Sequence, residues 1–424
     1  MNVSITEYGA KVCDQLQTKQ IQAAIDAVFL AGGGRVTVPT GIWRCGCIRL
    51  RSNVTLYLET GAIIEGSRNP EDYTGYINDT VEPFDIPEAP DEKTCRSAYP
   101  FSRWNNAVIR VLYAENVSII GEKGSYINGM NCFDEIGEEN YRGPHAINMW
   151  YCKNVYLEGY TIYNSSNWAH AIHNSEDITM KGVTVLGGHD GFDVRTCDRV
   201  LVEDCAFHTG DDGIAGFDNY DVTVRNCLFD CACSALRFGG TKVLVENCQG
   251  IGPTAYGFRG NLTDEEKRDG LLTGPHCHHR CLNLFLYYCD FRAEIRHTPG
   301  DITIRNCDFD YTENLFDLSF DGNHIWCCNR SLSSITFENC KLKGAIFPMH
   351  IHGDENEPLS ITLKDCTVEV DENKKDIAFA TVRNCEKLEL ENVKILGYEN
   401  PRIVKYNDFE FVTENSTNLE IIEG

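Results

Sequence analysis

RVLVEDCAF, at residues 199–207, is the stretch from which the fold can be inferred. The same repeat returns as DVTVRNCLF at 221–229 and as KVLVENC at 242–248. Its cysteine advances by 22 residues and then by 21 (227 − 205 and 248 − 227). A fixed period of this length is typical of a solenoid, in which each repeat is too short to bury its own inner face and relies on the next repeat to cover it.

The repeat extends well beyond these three copies, and each copy alternates apolar and polar residues as a half-buried strand does. Further copies lie at 116–121, 154–162, 177–185, 301–309, 334–342, 360–368 and 387–395. Because the repeats carry no helical pattern, they predict an all-β fold, a right-handed parallel β-helix with a ladder of cysteine or valine inside. A leucine-rich horseshoe is the alternative, but the sequence lacks its repeating leucine frame.

One helix is predicted, at residues 18–30 near the start of the chain. Its apolar stripe has helical spacing and consists of Ile21, Ala24, Ile25 and Val28. Thr18 is predicted as the N-cap, and the glycines at 32–34 are predicted as a tight turn because no Lys-Ser/Thr follows them. We expect this helix to cover the open end of the β-helix and to keep its first strand from pairing with another molecule.

Two stretches interrupt the period. Residues 67–104 are rich in Pro, Asp and Glu, and residues 249–285 lack the repeat altogether. On a solenoid, such insertions commonly build the walls of a binding face, so both are predicted to be long loops that wall a cleft. No linker separates domains, and the prediction is one β-helix domain over residues 1–424, with the cap and first coils at 1–66.

Composition restricts the partners. The formal net charge of −25 argues against nucleic acid and against anionic membranes. The 21 cysteines lie mostly in strand-like runs, the start has no basic segment followed by an apolar run, and no stretch approaches the roughly 18 apolar residues of a membrane span. We therefore expect a reduced, cytoplasmic protein with no nucleic-acid or membrane partner. The sequence leaves the oligomeric state open.

The candidate catalytic residues are acidic and lie in the segment 188–240. They form two motifs, and their members are Asp190, Asp193, Asp211 and Asp212. Since Asp190 and Asp211 are 21 residues apart (211 − 190), one coil would stack the first motif over the second. Gathered carboxylates repel one another and raise each other's pKa, so such a cluster indicates an acid beside a base, or a cation site.

The motifs also resemble those of a known family. EYGAK, the IQAAIDA helix, GGGRVTVPTGIW, IRLRSNVTLYLETGAII and SRNPEDY resemble the opening of polygalacturonases, the pectin-cleaving glycoside hydrolases of family 28. DGFDV at 190–194 and GDDGIA at 210–215 resemble the two aspartate motifs of that family, in order and at its usual separation. The resemblance covers most of the chain and is strongest at 5–73 and 176–216.

The resemblance implies an inverting glycosidase, in which one carboxylic acid protonates the leaving oxygen and a carboxylate activates water on the other side of the sugar. By this resemblance Asp211 is the general acid, and Asp190 and Asp212 hold and deprotonate the water. Asp193 is expected to orient its neighbours or to cap the turn, and it is also a candidate for substrate binding. Crowding is expected to keep at least one of the three catalytic carboxyls protonated near neutral pH.

The sequence departs from the family at three places. Gly188 and His189 stand where the family has Asn-Thr, and CSALRFGG, with Arg237, stands where it has Gly-His-Gly. In FRGN, Arg259 is kept, whereas Asn261 replaces the lysine that the family uses with that arginine on a uronate carboxylate. Arg237 and Arg259 are predicted to hold one substrate carboxylate in fork-like pairs, and His189 and Asn261 are further substrate-binding candidates.

Other candidates come from side-chain chemistry. The run HCHHRC at 276–281 could line the cleft, with His278 as substrate contact, or hold zinc, but it lacks paired zinc-ligand spacing, so no metal is predicted. His350 and His352 are expected on one face of a strand. The aromatic candidates for stacking on a sugar ring are Trp168, Trp326 and Tyr256.

The leading hypothesis is a glycoside hydrolase without a cofactor, acting from the chain end on a pectin-type oligosaccharide, either a galacturonide or a rhamnogalacturonan fragment. One alternative is a lyase or epimerase on the same β-helix, with Ca²⁺ on the aspartates and Arg237 as the base. The other is a carbohydrate-binding solenoid without catalysis.

Overall fold

The computed structural model describes residues 1–88, 98–291, 294–320 and 327–424. The chain divides into two compact units. The first unit consists of Met1–Cys197, His208–Gly210 and Phe258–Cys277, and the second of Asp198–Phe207, Asp211–Gly257 and His278–Gly424. The single continuous domain expected from the sequence stays a prediction.

Short strands make up most of both units. The strands that precede residue 198 are β1 Asn2–Ser4, β2 Gly34–Val38, β3 Gly41–Cys45, β4 Ile48–Leu50, β5 Val54–Leu58, β6 Ala62–Gly66, β7 Ala107–Leu112, β8 Glu115–Gly121, β9 Tyr126–Asn128, β10 Phe133–Glu138, β11 His145–Trp150, β12 Lys153–Glu158, β13 Thr161–Tyr163, β14 His170–His173, β15 Glu176–Lys181, β16 Thr184–Leu186 and β17 Phe192–Arg195. The strands that follow are β18 Asp198–Glu203, β19 Ala206–Thr209, β20 Ile214–Arg225, β21 Leu228–Cys231, β22 Ser234–Glu246, β23 Gln249–Gly250, β24 Cys281–Tyr287, β25 Gly300–Arg305, β26 Asp308–Asp310, β27 Thr312–Ser319, β28 Ser334–Glu338, β29 Lys341–Ala345, β30 Met349–His352, β31 Ser360–Lys364, β32 Thr367–Val370, β33 Ala380–Arg383, β34 Lys387–Glu391, β35 Lys394–Leu396, β36 Arg402–Lys405, β37 Glu410–Glu414 and β38 Glu420–Glu423.

Within the first unit the strands stack in three parallel ladders. One ladder runs β1-β2-β5-β8-β12-β15. The second runs β4-β7-β11-β14-β17, and the third runs β3-β6-β9-β13-β16. A chain that visits three ladders in turn, always in the same direction, is a parallel β-helix, so the predicted fold class is confirmed.

The second unit repeats the same arrangement. Its ladders are β18-β20-β22-β25-β28-β31-β34-β37, β20-β22-β24-β27-β30-β33-β36-β38 and β21-β23-β26-β29-β32-β35. The long strands β20 and β22 each belong to two of these ladders. All copies of the sequence repeat that lie in this unit form strands, as predicted.

The Asn or Asp and the Cys of the repeat each occupy a defined structural position. In the copies that contain cysteine, the turn residue has a left-handed backbone, which Asn and Asp tolerate better than other side chains; Asn226 has φ 56° and Asn247 has φ 55°. Asn226 donates to the Asp204 carboxylate at 3.2 Å, and Asn306 donates to the Asn247 amide oxygen at 3.3 Å. The next residue is a buried thiol, and these thiols form the predicted internal ladder: Cys205, Cys227, Cys248, Cys307, Cys340 and Cys366.

The predicted helix is present as α1, Thr18–Leu30, with its predicted apolar stripe fully buried. The N-cap is Gln17 rather than Thr18, because the Thr18 hydroxyl instead accepts the Gly46 N–H at 2.8 Å. The Gln22 amide accepts the Arg49 N–H at 2.7 Å and donates to the Arg49 carbonyl at 2.9 Å. Since Arg49 lies in β4, the first strand of its ladder, Gln22 satisfies a strand edge that would otherwise be open.

The two interruptions contain short helices. Residues 67–104 include 3-10 helices at Pro70–Tyr73, Gly75–Asn78 and Arg103–Asn105, and part of this stretch lies outside the described residues. Residues 249–285 include a 3-10 helix at Arg259–Asn261 and the helix α2, Asp264–Asp269. None of the helices within the described ranges has the length and apolarity needed to cross a membrane.

Replacement of Ile25 by alanine tests the packing of the cap. Ile25 is 0% exposed, so Ile25→Ala removes buried methyl groups and should lower the free energy of unfolding by about 2–5 kcal/mol. Leu30→Ala on the same helix is the control, since Leu30 is 70% exposed and its loss should cost less than about 0.5 kcal/mol. Urea unfolding followed by circular dichroism measures both. Equal losses would contradict the buried position of Ile25.

Candidate active site

The first aspartate motif lies where the chain enters β17. The Asp190 side chain is 1% exposed, and its backbone carbonyl accepts the Ala169 N–H at 2.8 Å. One residue later, the Gly191 carbonyl accepts a hydrogen bond from Nδ1 of His170 at 2.9 Å. These bonds to the preceding coil fix the backbone of DGFD, so the position of Asp190 within the first unit is set by the stacking of coils.

Asp193 is a buried, ion-paired carboxylate. It is 0% exposed, and its Oδ1 lies 2.7 Å from Nε of Arg195 and 3.1 Å from Nε2 of His173. Burial alone would raise the pKa of Asp193, but Arg195 and His173 outweigh it and hold the pKa well below its usual range. This arrangement favours the predicted orienting role over direct contact with a substrate.

Trp168 packs inside the first unit rather than on its surface. It is 4% exposed, with the Arg195 guanidinium 4.6 Å from its ring centroid and the His145 ring 5.1 Å away. Burial, followed by the charges of His173 and Arg110, holds the pKa of His145 well below its usual range, so His145 is neutral. A ring enclosed in this way exposes little surface, and its geometry does not favour the predicted stacking of Trp168 on a sugar.

His189 lies among basic side chains. It is 1% exposed, and its ring is 5.7 Å from the ring of Tyr141. Burial comes first among the causes that hold the pKa of His189 well below its usual range, and the charges of Arg142, Arg259 and Lys267 add to it. The substitution at this family position therefore places a neutral imidazole beside three cations.

Glu138 is a titratable residue that the sequence motifs missed. Its side chain is 10% exposed, it lies 3.9 Å from Arg142, and its Oε2 accepts the Asn167 amide at 3.0 Å. Burial raises the pKa of Glu138 to about 7, against the opposing charge of Arg142. The sequence around it, EIGEEN, is that of a solvated acidic loop, and only the fold buries this carboxyl.

Asp211 and Asp212, the two carboxylates of the second aspartate motif, lie in the second unit and differ in their exposure to solvent. Asp212 is 3% exposed, accepts the Ser234 N–H at 2.8 Å and lies 2.5 Å from Nε of Arg237. Asp211 is partly exposed. Arg237 also lies over the Tyr288 ring, 4.4 Å from its centroid. Asp212 is thus held in place, whereas Asp211 offers a more accessible carboxyl.

The fit of a cation to these residues can be judged from the donor atoms. Among the residues that the structure describes, one group brings three possible ligand atoms within 4.8 Å of one another, and it consists of Asp211, Asp212 and Cys233. Ca²⁺ prefers six to eight oxygen ligands, and here one of three ligands is a thiol while Arg237 already neutralises Asp212. The group fits Ca²⁺ poorly, and the run at 276–281 does not gather ligand atoms in this way.

The two residues of FRGN have different surroundings. Arg259 is 2% exposed, donates to the Ser165 carbonyl at 3.1 Å and also donates to the Asn131 side chain. Asn261 is exposed at the end of its 3-10 helix. Because Arg259 bonds to groups of its own unit, its contacts favour a role in fixing the segment before α2, and its predicted contact with a carboxylate stays a prediction.

The remaining candidates are partly exposed or outside the described residues. His278 and Tyr256 are partly exposed, and burial lowers the pKa of His278. His350 and His352 share one face of β30, as predicted, with ring centroids 3.9 Å apart. Trp326 lies outside the described residues. The substrate contacts assigned to His278 and Tyr256, like the catalytic roles of Asp190, Asp211 and Asp212, stay predictions.

The family model "Glycosyl hydrolases family 28" matches residues 93–232, which include both aspartate motifs. Over these residues the chain is similar to this family of glycosidases.

The similar proteins have low sequence identity. A probable polygalacturonase of Vitis vinifera is 24% identical over 52% of this chain and 46% of its own length. An exo-poly-alpha-D-galacturonosidase of Dickeya chrysanthemi is 25% identical over 50% of this chain and 41% of its own length. The crystal structure of a hyperthermoactive exopolygalacturonase from Thermotoga maritima has a TM-score of 0.69 at 18% identity, covering 94% of this chain and 92% of that one. The chain thus spans less than half the length of these two sequence relatives, and the structural likeness supports the fold.

Glu138 should give the protein a measurable pH dependence of stability. Its pKa rises from 4.5 to about 7 on folding, so the folded chain keeps a proton that the unfolded chain has lost between these values. The stabilisation that Glu138 gives to the folded state is fully present below about pH 4.5 and is lost as the pH rises through about 7. In the wild type the free energy of unfolding should therefore decline by an amount on the order of 3 kcal/mol over this pH range, and in Glu138→Gln this decline should be absent. Urea unfolding of both proteins at several pH values measures the difference.

The stability that Glu266 contributes should depend on pH in the opposite direction. Hydrogen bonds from Thr263 lower the pKa of Glu266, so its stabilisation is present above the unfolded pKa and is lost as the pH falls. Glu266→Gln should reduce stability near neutral pH and not near pH 3. An unchanged pH profile for Glu138→Gln would show that Glu138 is not buried as described.

Proposed function

We propose that the chain is an inverting glycoside hydrolase that cleaves pectin-type oligosaccharides, either galacturonides or rhamnogalacturonan fragments, from the chain end. The match of residues 93–232 to the family model and the names of the two sequence relatives, a probable polygalacturonase and an exo-poly-alpha-D-galacturonosidase, support the substrate class. The observation that carries the chemistry is the pair Asp211 and Asp212, of which one is accessible and the other is fixed by Ser234 and Arg237.

In the proposed reaction Asp211 gives its proton to the glycosidic oxygen as the bond to the anomeric carbon breaks. A water attacks that carbon from the opposite face, and Asp190 and Asp212 hold the water and take its proton. Arg237 suits this role for Asp212, because an ion-paired carboxylate is held in one orientation. The same ion pair makes Arg237 a poor base for the lyase or epimerase reaction, since abstraction of a proton requires a neutral guanidine.

End-wise cleavage is supported by residues 249–285, because a folded insertion with its own short helices can block one end of a groove. On a long oligogalacturonide we expect only small products at early times, with the anomeric configuration inverted in the first product. Proton NMR of one digest, run in deuterated buffer, measures both properties. Mid-length fragments at early times would contradict end-wise action, and retention of configuration would contradict the water mechanism.

A reducing, cytoplasmic location forms part of the proposal. It is supported by the thiols, because the cysteines of the described residues form no disulfide with one another and most of them are buried. Buried unpaired thiols are typical of proteins that fold in a reducing compartment.

Replacement of Asp211 tests the assignment of the general acid. Asp211→Asn cannot donate the proton, so kcat on an oligogalacturonide should fall by roughly 10²–10⁴-fold while the unfolding midpoint changes little. Asp221→Asn is the matched control in the same unit, because Asp221 pairs with the exposed Lys242 at 2.9 Å and lies outside the proposed site. Reducing-end release measures the rate.

Three outcomes would overturn the proposal or one of its parts. Full activity of Asp211→Asn would remove the acid assignment. A wild-type protein that binds the oligosaccharide without releasing any product would favour the non-catalytic alternative. An unsaturated product that absorbs in the ultraviolet and disappears with a chelator would favour the lyase.

A further inference from the structure

Two tyrosines of the first unit lie in a backbone conformation that bulky side chains rarely adopt. Tyr113 has φ 53° and Tyr151 has φ 55°, both in the left-handed region. They follow β7 and β11, which pair in register, and the Tyr113 N–H donates to the Trp150 carbonyl at 2.9 Å. The two tyrosines therefore occupy the same turn position in successive coils. A backbone outlier of this kind is a reason to look for a function.

The next two coils carry small polar residues at this turn position. Asn174 follows β14 with φ 50°, and Thr196 follows β17 with φ 56°. Since β11, β14 and β17 pair in register, these residues continue the line of the tyrosines. Neighbouring coils are about 4.8 Å apart. We define the Tyr151 row as these four residues, one from each coil: Tyr113, Tyr151, Asn174 and Thr196.

The two tyrosine rings stack on each other and are exposed. Their centroids are 5.1 Å apart and their planes differ by 5°. Tyr113 is 50% exposed and also has the Phe84 ring 6.3 Å away, whereas Tyr151 is 44% exposed and is followed in the next coil by the smaller Asn174. Neither tyrosine hydroxyl makes a hydrogen bond to a residue that the structure describes. Tyr151 is thus the accessible end of the stack.

Asn174 and Thr196 add hydrogen-bonding groups beside the rings. Both are partly exposed, and neither side chain bonds to any of the described residues. Three residues further along the first two turns, the Asn154 amide donates to the Asn116 amide oxygen at 2.7 Å. Stacked amides satisfy each other there, whereas Tyr151 occupies the place of the amide that would pair with Asn174.

An aromatic face beside available amide and hydroxyl groups fits a pyranose ring. The C–H face of the sugar can pack on the tyrosine, while its hydroxyls exchange hydrogen bonds with the polar side chains. A small anion would need a cation, and the Tyr151 row contains none. A stable protein partner would bury about 800 Å² on each side, far more than two tyrosine rings offer.

We propose that the Tyr151 row is an auxiliary binding site for a polysaccharide, in which one pyranose ring stacks on Tyr151 and bonds to Asn174 and Thr196. This inference goes beyond the proposed function and rests on it only for the pectin-type nature of the polymer. Thr196 lies six residues after Asp190 (196 − 190), at the other end of β17, so the two are at most roughly 20 Å apart. A polymer held by the row would raise the local concentration of sugar units near Asp190.

Tyr151→Asn tests the inference, because asparagine suits the left-handed backbone and removes the ring. Its urea midpoint should equal or exceed that of the wild type. In native gels that contain polygalacturonate or methyl-esterified pectin, at least one polymer should retard the wild type. The apparent Kd of Tyr151→Asn for that polymer should be roughly 3–10-fold higher, the loss of one aromatic contact. For trigalacturonate, kcat and KM should not change, and Tyr151→Phe should bind the polymer like the wild type.

Tyr311→Asn is the matched control. Tyr311 also has a left-handed backbone, with φ 57°, and is 52% exposed, but it lies in the second unit and has no ring contact with a described residue. Its replacement should leave the retardation by both polymers unchanged. Asn174→Ala provides a second test, since it should weaken polymer binding a few-fold without changing the kinetics on trigalacturonate.

Three results would overturn the inference. The first is a wild type that neither polymer retards, or a Tyr151→Asn variant that is retarded as strongly as the wild type. The second is a loss of kcat/KM on trigalacturonate by Tyr151→Asn as large as its loss of polymer binding, which would place the row in the catalytic site. The third is a wild-type dimer that Tyr151→Asn converts to a monomer in sedimentation, which would make the row an interface between copies of the chain.

The failure of this inference can be separated from the failure of the proposed function. Gel retardation requires no turnover, so it reports on the Tyr151 row even if the wild type hydrolyses no substrate. Weaker retardation of Tyr151→Asn than of the wild type and Tyr311→Asn would then support the auxiliary site, although the hydrolase proposal had failed. Equal retardation of all three proteins, together with hydrolysis of trigalacturonate, would overturn the auxiliary site and leave the hydrolase proposal intact.

Discussion

The structure depends on one constraint: a coil of about 21–23 residues cannot bury its own inner face, so each coil must stack in register on the next. The parallel ladders are the direct result. The turn between two strands must close within a residue or two, which requires a left-handed backbone, and Asn226 and Asn247 supply it. The thiol that follows each turn then faces the interior, where Cys227 and Cys248 stack on each other.

This stacking also determines the roles of the acidic side chains. Asp190, Asp193 and Asp212 are all buried, whereas Asp211 is partly exposed, and Arg195 and Arg237 pair with Asp193 and Asp212 respectively. An ion pair in a low-dielectric interior holds a carboxylate in one ionisation state and one orientation. Such an oriented, ionised carboxylate can position a neighbour or act as a base, as proposed for Asp212, and the accessible Asp211 is suited to giving a proton to a substrate.

The irregular segments add what the periodic core cannot provide. The core repeats the same residue types from coil to coil, whereas the surroundings of His189 include Tyr141 and, over the Tyr141 ring, Lys267 of α2, which is far along the chain. An insertion is free to vary because its residues do not have to match a neighbouring coil. The cationic environment of His189 therefore comes from segments outside the repeat, in a chain that is otherwise strongly acidic.

The sequence by itself determined the parallel β-helix, the α1 cap with its buried stripe, the cysteine ladder and the two aspartate motifs. Periodicity and turn chemistry are local properties, so they can be recognised from the order of the residues alone. Only the tertiary structure decided that Trp168 is enclosed, that Arg259 bonds within its own unit, that Glu138 is buried with a pKa of about 7, and that Lys267 lies against Tyr141. Burial and charge pairing depend on residues from distant coils and insertions, and no local pattern encodes which of them will meet.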